Sequence, residues 1–199
     1  MSTIAENIAK VAARIRAAAQ ASGRDPAHIQ LLAVSKTKPA QAVREAFACG
    51  QRDFGENYVQ ELCHKAAELS DCSDLIWHFI GPLQSNKTRA VAETAHWVHA
   101  VDRLKIAERL SAQRPALLPD LQICLQVNVS GEASKSGVAE DELLTLALAV
   151  ARLPRLRLRG LMCIPEPTSD REVLTQRFGR LHELFTELNA AGLGLDTLS

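Results

Sequence analysis

Charge of one sign is missing from this sequence. Its 199 residues carry 23 basic and 23 acidic side chains, a formal net charge of zero. There is no basic surplus to hold a nucleic acid or another polyanion. Aromatic residues are also scarce, 4% of the chain, while hydrophobic residues make up 47%. That apolar share is ordinary for a globular chain and excludes global disorder. No uninterrupted apolar run approaches the roughly 20 residues a membrane helix needs. The N-terminal stretch to Ala21 is broken by Glu6, Lys10, Arg14 and Arg16, so it lacks the apolar centre of a secretory signal. These absences predict a soluble, cytoplasmic protein with no nucleic-acid and no membrane partner.

Paired cysteines are missing as well. Cys49, Cys63, Cys72, Cys124 and Cys163 are odd in number, widely spaced, and form no C-x-x-C. Neither a zinc site nor a redox motif is written there, and reduced thiols, buried or half-buried, are expected. His28, His64, His96, His99 and His182 show no metal-ligand spacing, and G-x-S-x-G, P-loop and H-E-x-x-H motifs do not occur.

What is present is rhythm. Ile4, Ile8, Val11 and Ile15 step by three and four, predicting a helix over Ile4–Ala21 closed by Gly23 and Pro26. Short apolar runs then alternate with amphipathic stretches. Strands are predicted over Ile29–Ser35, Arg52–Gly55, Leu75–Ile80, Trp97–Val101, Leu121–Val129, Leu156–Ile164 and Leu193–Leu198. Helices are predicted over Pro39–Ala48, Tyr58–Leu69, Asn86–Thr94, Arg103–Gln113, Glu140–Leu153 and Arg171–Ala191. In the last, Val173, Leu174, Phe178, Leu181, Leu184, Phe185 and Leu188 form one apolar face.

Strand and helix in unbroken alternation imply βαβ units and a parallel sheet. No linker rich in Pro, Gly or Ser divides the chain, so residues 1–199 read as one domain. An open doubly wound sheet usually carries G-x-G-x-x-G after its first strand. Here that place holds Ser35-Lys36-Thr37-Lys38-Pro39, and seven near-evenly spaced strands favour a (β/α)8 barrel instead. From Ile29 to Leu193 six repeats run at about 27 residues each, so an eighth strand with its preceding helix is due beyond Ser199.

In such a barrel, functional side chains stand at the C-terminal ends of strands. Lys36 ends the first strand and shares a face with Leu32 and Val34. In an apolar collar its amine loses hydration, its pKa falls, and Schiff-base chemistry opens to it. The competing reading is a solvated lysine at a strand terminus, and the pattern alone favours that one. The second strand ends in Phe54-Gly55-Glu56-Asn57, a carboxylate and an amide, although Glu56 also suits the first turn of a helix. His78, within an apolar strand, reads first as a hydrogen-bonded core histidine. The loop Asn128 to Gly137, with two glycines and two Ser–Lys neighbours, reads as a mobile loop able to meet an anion, or as plain surface. Arg155-Leu156-Arg157-Leu158-Arg159 enters the sixth strand at the structural end of the barrel and is expected to be a solvated face.

Several blocks together resemble one family. Leu31-Leu32-Ala33-Val34-Ser35-Lys36-Thr37-Lys38-Pro39, Phe54-Gly55-Glu56-Asn57-Tyr58-Val59-Gln60-Glu61 and Trp77-His78-Phe79-Ile80-Gly81-Pro82-Leu83-Gln84-Ser85-Asn86-Lys87 are similar to segments of the YggS/PROSC family of pyridoxal phosphate homeostasis proteins. So are Ser134-Lys135-Ser136-Gly137, Arg159-Gly160-Leu161-Met162-Cys163-Ile164-Pro165 and Leu195-Asp196-Thr197-Leu198-Ser199. The blocks span nearly the whole chain in order.

The resemblance implies an alanine racemase N-terminal-domain-like barrel holding pyridoxal 5′-phosphate (PLP) as an aldimine on Lys36. Asn57 matches a residue lining the cofactor, and His78 lies on a matching motif. Lys135 matches a loop lysine placed to take up or pass on the aldehyde. The implied role is a monomeric carrier in PLP, vitamin B6 and amino-acid homeostasis, serving PLP-dependent client enzymes, with no catalysis of its own. The alternative is a racemase- or lyase-type Schiff-base enzyme. Racemases of related fold add a second domain and a tyrosine acid/base, whereas this chain has one tyrosine, Tyr58. In the family, Leu-Ser is followed by Met-Gly-Met-Ser and later by an Arg-Ile-Gly-Thr segment in strand eight. Those stretches hold the phosphate and are expected beyond Ser199. A chain ending at Ser199 is expected to bind PLP weakly and to expose the edges of strands one and seven.

Overall fold

The computed structural model describes residues 3–129 and 136–199. The candidate Lys135 and most of its loop lie outside the described residues. By packing, the chain forms two compact units, one ending at Trp77 and one running from His78 to Ser199.

The first unit opens with α1 (Ile4–Ala21), where Thr3 and Glu6 make a reciprocal capping box. Two backbone donors that a helix start leaves unpaired are thereby satisfied. β1 (Ala33–Val34), α2 (Ala40–Ala48), β2 (Asp53–Glu56) and α3 (Val59–Glu68) follow, with β3 (Ile76–Phe79) spanning the unit boundary. β1 and β2 pair in parallel, Val34 opposite Gly55. β1 is far shorter than the predicted Ile29–Ser35. A 3-10 turn over Pro26–His28 precedes it, and the buried Gln51 amide donates to the Leu31 carbonyl at 2.8 Å, occupying an acceptor a longer ladder needs.

In the second unit β3 pairs with β4 (Trp97–Val101), and parallel pairing continues through β5 (Leu121–Gln126), β6 (Leu156–Met162) and β7 (Thr197–Leu198). The connecting helices are α4 (Thr88–Thr94), α5 (Leu104–Gln113), α6 (Glu140–Val150) and α7 (Arg171–Ala190). β4 and α1 match their predicted spans, and most other elements lose one to three residues at an end. β7 is trimmed most. Gly192 and Gly194 take left-handed φ values of 87° and 63°, and Asn189 holds both the N–H and the C=O of Leu195, so a turn occupies the predicted strand start.

Burial follows the apolar runs, with Leu121, Ile123, Cys124 and Leu125 of β5 all at 0% exposure. Continuous burial along a strand is the mark of a parallel sheet covered on both faces. Two sequence expectations need correction. Phe178 of α7 is 51% exposed, because the helix buries only Leu181, Leu184 and Leu188. The arginine stripe is only partly a solvated face. Arg159 is held by Asp196 in two bonds of 2.7 and 2.8 Å and lies 4.8 Å above the Trp97 ring. Arg155 donates to the Ser111 carbonyl. Among the cysteines, Cys49 is exposed, Cys63 half-buried and the other three buried; all are free thiols. No helix of the described residues is long and apolar enough to cross a membrane.

Candidate functional site

Lys36 and Asn57 stand at equal offsets, two residues beyond the paired Val34 and Gly55 of parallel neighbours. Both lie just past the ends of their strands, β1 closing at Val34 and β2 at Glu56. Lys36 is exposed, in the turn after β1. The closed apolar collar expected around it is not formed, since Val34 on its face is 51% exposed and β1 ends before reaching the lysine. Asn57 is half-buried, and its amide oxygen Oδ1 is buried without a hydrogen-bond partner. Such an orphaned acceptor is costly unless something fills it.

Ser35 and Glu56, the residues just before Lys36 and Asn57, belong to a buried ion cluster. Glu56 closes β2 and is 0% exposed, so of its two readings that of a helix-start acid fails. Its Oε1 accepts from Ser35 Oγ at 2.6 Å and from Lys65 Nζ at 2.7 Å. Lys65, on α3, also donates to the Ser35 carbonyl at 2.7 Å and to Glu61 Oε2 at 2.8 Å. Glu61 Oε2 in turn accepts the Thr37 backbone N–H at 2.8 Å. The bond from Lys65, with that from Thr37, holds the Glu61 carboxyl below its ordinary range. Sequence reading missed Lys65. The signal was there: Leu62, Lys65 and Leu69 are spaced by three and four, which puts the lysine on the buried face of its helix.

His78 lies in the second unit and is buried, as its core reading required. Its Nδ1 is 2.9 Å from His99 Nε2, and His99 Nδ1 is 2.8 Å from Ser199 Oγ. The His78 ring stacks on Trp97 at 5.6 Å between centroids, 13° from parallel. Burial, helped by His78, pushes the His99 imidazole down to about 3, so it is neutral at ordinary pH.

Parallel strands alternating with helices are the architecture of a barrel-type domain, and an exposed amine and an unfilled amide acceptor stand just beyond two of the strands. The family profile of the alanine racemase N-terminal domain matches residues 6–199. A pyridoxal phosphate homeostasis protein of Pseudomonas aeruginosa is 70% identical over 199 residues, covering 100% of this chain and 85% of the relative. The structure of PipY from Synechococcus elongatus without PLP superposes with a TM-score of 0.85 at 36% identity, covering 98% of this chain and 87% of that one. PipY with PLP bound gives 0.80 at 36%, covering 92% and 86%. The chain therefore belongs to the alanine racemase N-terminal domain family, in its branch of pyridoxal phosphate homeostasis proteins.

Proposed function

We propose that this protein binds pyridoxal 5′-phosphate through the Lys36 amine and serves PLP, vitamin B6 and amino-acid homeostasis without catalysing a reaction of its own. The observation that carries the reading is the placement of Lys36 and Asn57 just beyond the ends of adjacent strands, one an exposed primary amine, the other an amide oxygen buried without a partner. The residues present fit the cofactor: Lys36 supplies the nucleophile, and Asn57 an acceptor waiting for a donor. When bound, PLP supplies an aldehyde that condenses reversibly with a primary amine. His78 is proposed as a further cofactor-lining residue, its ring oriented by His99 and Trp97. Support also comes from the relatives, whose names are those of homeostasis proteins rather than enzymes, and from the PLP-bound form of PipY.

Residues 1–199 are proposed to act as one cofactor-binding domain, as a monomer in the cytoplasm, passing PLP to PLP-dependent client enzymes. The test is to incubate the protein with PLP, remove the excess, and record the visible spectrum before and after borohydride. A borohydride-sensitive band is expected, with the reduced label on the Lys36 peptide, and Lys36→Ala is expected to be colourless. A label on another lysine, or none, overturns the assignment. Turnover of alanine or another amino acid overturns the carrier role.

A further inference from the structure

The ion cluster behind Lys36 has no task in the reading above, and its cost demands one. Taking a lysine and a glutamate out of water is expensive, and an apolar pair of similar volume usually stabilises a fold as well or better. Yet the Lys65 and Glu56 side chains are only 4% and 0% exposed. All three donors of the Lys65 ammonium are used, on Ser35 O, Glu56 Oε1 and Glu61 Oε2. Their targets are not scattered. Ser35 is gripped at its carbonyl by Lys65 and at its hydroxyl by Glu56, and Thr37 at its N–H by Glu61. These are the residues on either side of Lys36.

Thr37 also holds a φ of 62°. A β-branched residue avoids the left-handed region, and it persists there only when its surroundings impose it. The Glu61 carboxylate on the Thr37 N–H is such an imposition. Lys36 itself is left exposed and outside the cluster.

We infer that Glu56, Glu61 and Lys65 are positioning residues that clamp the backbone on both sides of Lys36, fixing where its amine meets the cofactor aldehyde. The inference rests on the PLP-binding reading. Helix α3 is thereby made the anchor of the reactive turn, through side chains rather than through packing alone.

Glu61 tests it, since its side chain is 30% exposed and its loss spares the buried Lys65–Glu56 pair. In Glu61→Ala, PLP affinity measured by spectroscopic titration is expected to fall about tenfold. The Thr37 amide of the unliganded protein is expected to exchange its hydrogen faster, with the thermal midpoint little changed. Glu61→Gln retains an acceptor for the Thr37 N–H and is expected to restore affinity to within about twofold of wild type. Wild-type affinity with unchanged Thr37 exchange in Glu61→Ala overturns the clamp. Equal loss in Glu61→Gln and Glu61→Ala overturns it too, because charge alone then matters. A wild-type protein that forms no borohydride-reducible adduct overturns the functional reading itself, a result distinct from either of these.

Discussion

The Lys65 ammonium stands 2.7 Å from Glu56 Oε1, and neither side chain keeps more than 4% of its surface. Removing one member leaves the other as an uncompensated buried charge. Lys65→Met is therefore expected to cost about 3–5 kcal/mol, and Lys65→Met with Glu56→Gln distinctly less than the sum of the single changes. Urea unfolding of the four proteins checks it; additive losses would mean the pair is not coupled.

Gly160 makes the second prediction. It faces Thr197 across the β6–β7 ladder, and a Cβ there would lie 1.7 Å from the Thr197 carbonyl oxygen. Backbone cannot yield as a side-chain tip does. Gly160→Ala is expected to displace β7 and cost more than the roughly 1–3 kcal/mol usual for overpacking. The Ser199 amide, which donates to the Leu161 carbonyl, should lose hydrogen-exchange protection. Gly179, in the exposed face of α7 with nothing near its would-be Cβ, gives the opposite sign. Gly179→Ala is expected to stabilise by about 0.5–1 kcal/mol.

Those two glycines mark how far the sequence could be read. The alternation that predicts strand and helix is a matter of local period, and α1 and β4 come out with the predicted ends. The strand-end position of Lys36 and Asn57 follows from the same rule. What stayed hidden depends on partners distant in the chain. Nothing local tells Gly160, pressed against Thr197, from Gly179, open to solvent. The spacing of Leu62, Lys65 and Leu69 turns Lys65 inward, but nothing local names Glu56 on β2 as its partner. Arg114, only 4% exposed, donates to the Ala92 and Ala95 carbonyls at the end of α4 and to Pro119. It completes a helix end twenty residues back, which no pattern around position 114 announces.

Arg114 accordingly supplies a third prediction. Its guanidinium satisfies three backbone carbonyls, and burial lowers its pKa, an effect the charge of Asp120 offsets only in part. Arg114→Met keeps the stem but orphans those acceptors, at about 1–3 kcal/mol for each that water does not reach. Arg114→Lys cannot span all three and is expected to fall between. Thermal midpoints of the three proteins, ordered wild type, Lys, Met, check it.

The last prediction concerns acid. His99 is 4% exposed, bonded to His78 on one ring nitrogen and to Ser199 Oγ on the other. The groups of the second unit that face it are His78, Trp97 and Ser199, with the Arg159 guanidinium on the Trp97 ring. Burial first, and His78 second, bring its pKa from 6.5 to about 3. The folded state thus refuses a proton that the unfolded chain accepts below pH 6.5. Above that pH neither state is charged and His99 leaves stability unchanged. As the pH falls from 6.5 towards 3, the unfolded chain binds the extra proton, and stability drops by up to about 1.4 kcal/mol per pH unit on this account. Two measurements check it. The His99 ring resonances should not titrate until close to pH 3, and His99→Gln should flatten the decline of unfolding free energy between pH 6 and 4, in the range marked by roughly these pKa values. A ring that titrates near 6.5 in the folded protein would mean that water reaches the His78–His99 pair.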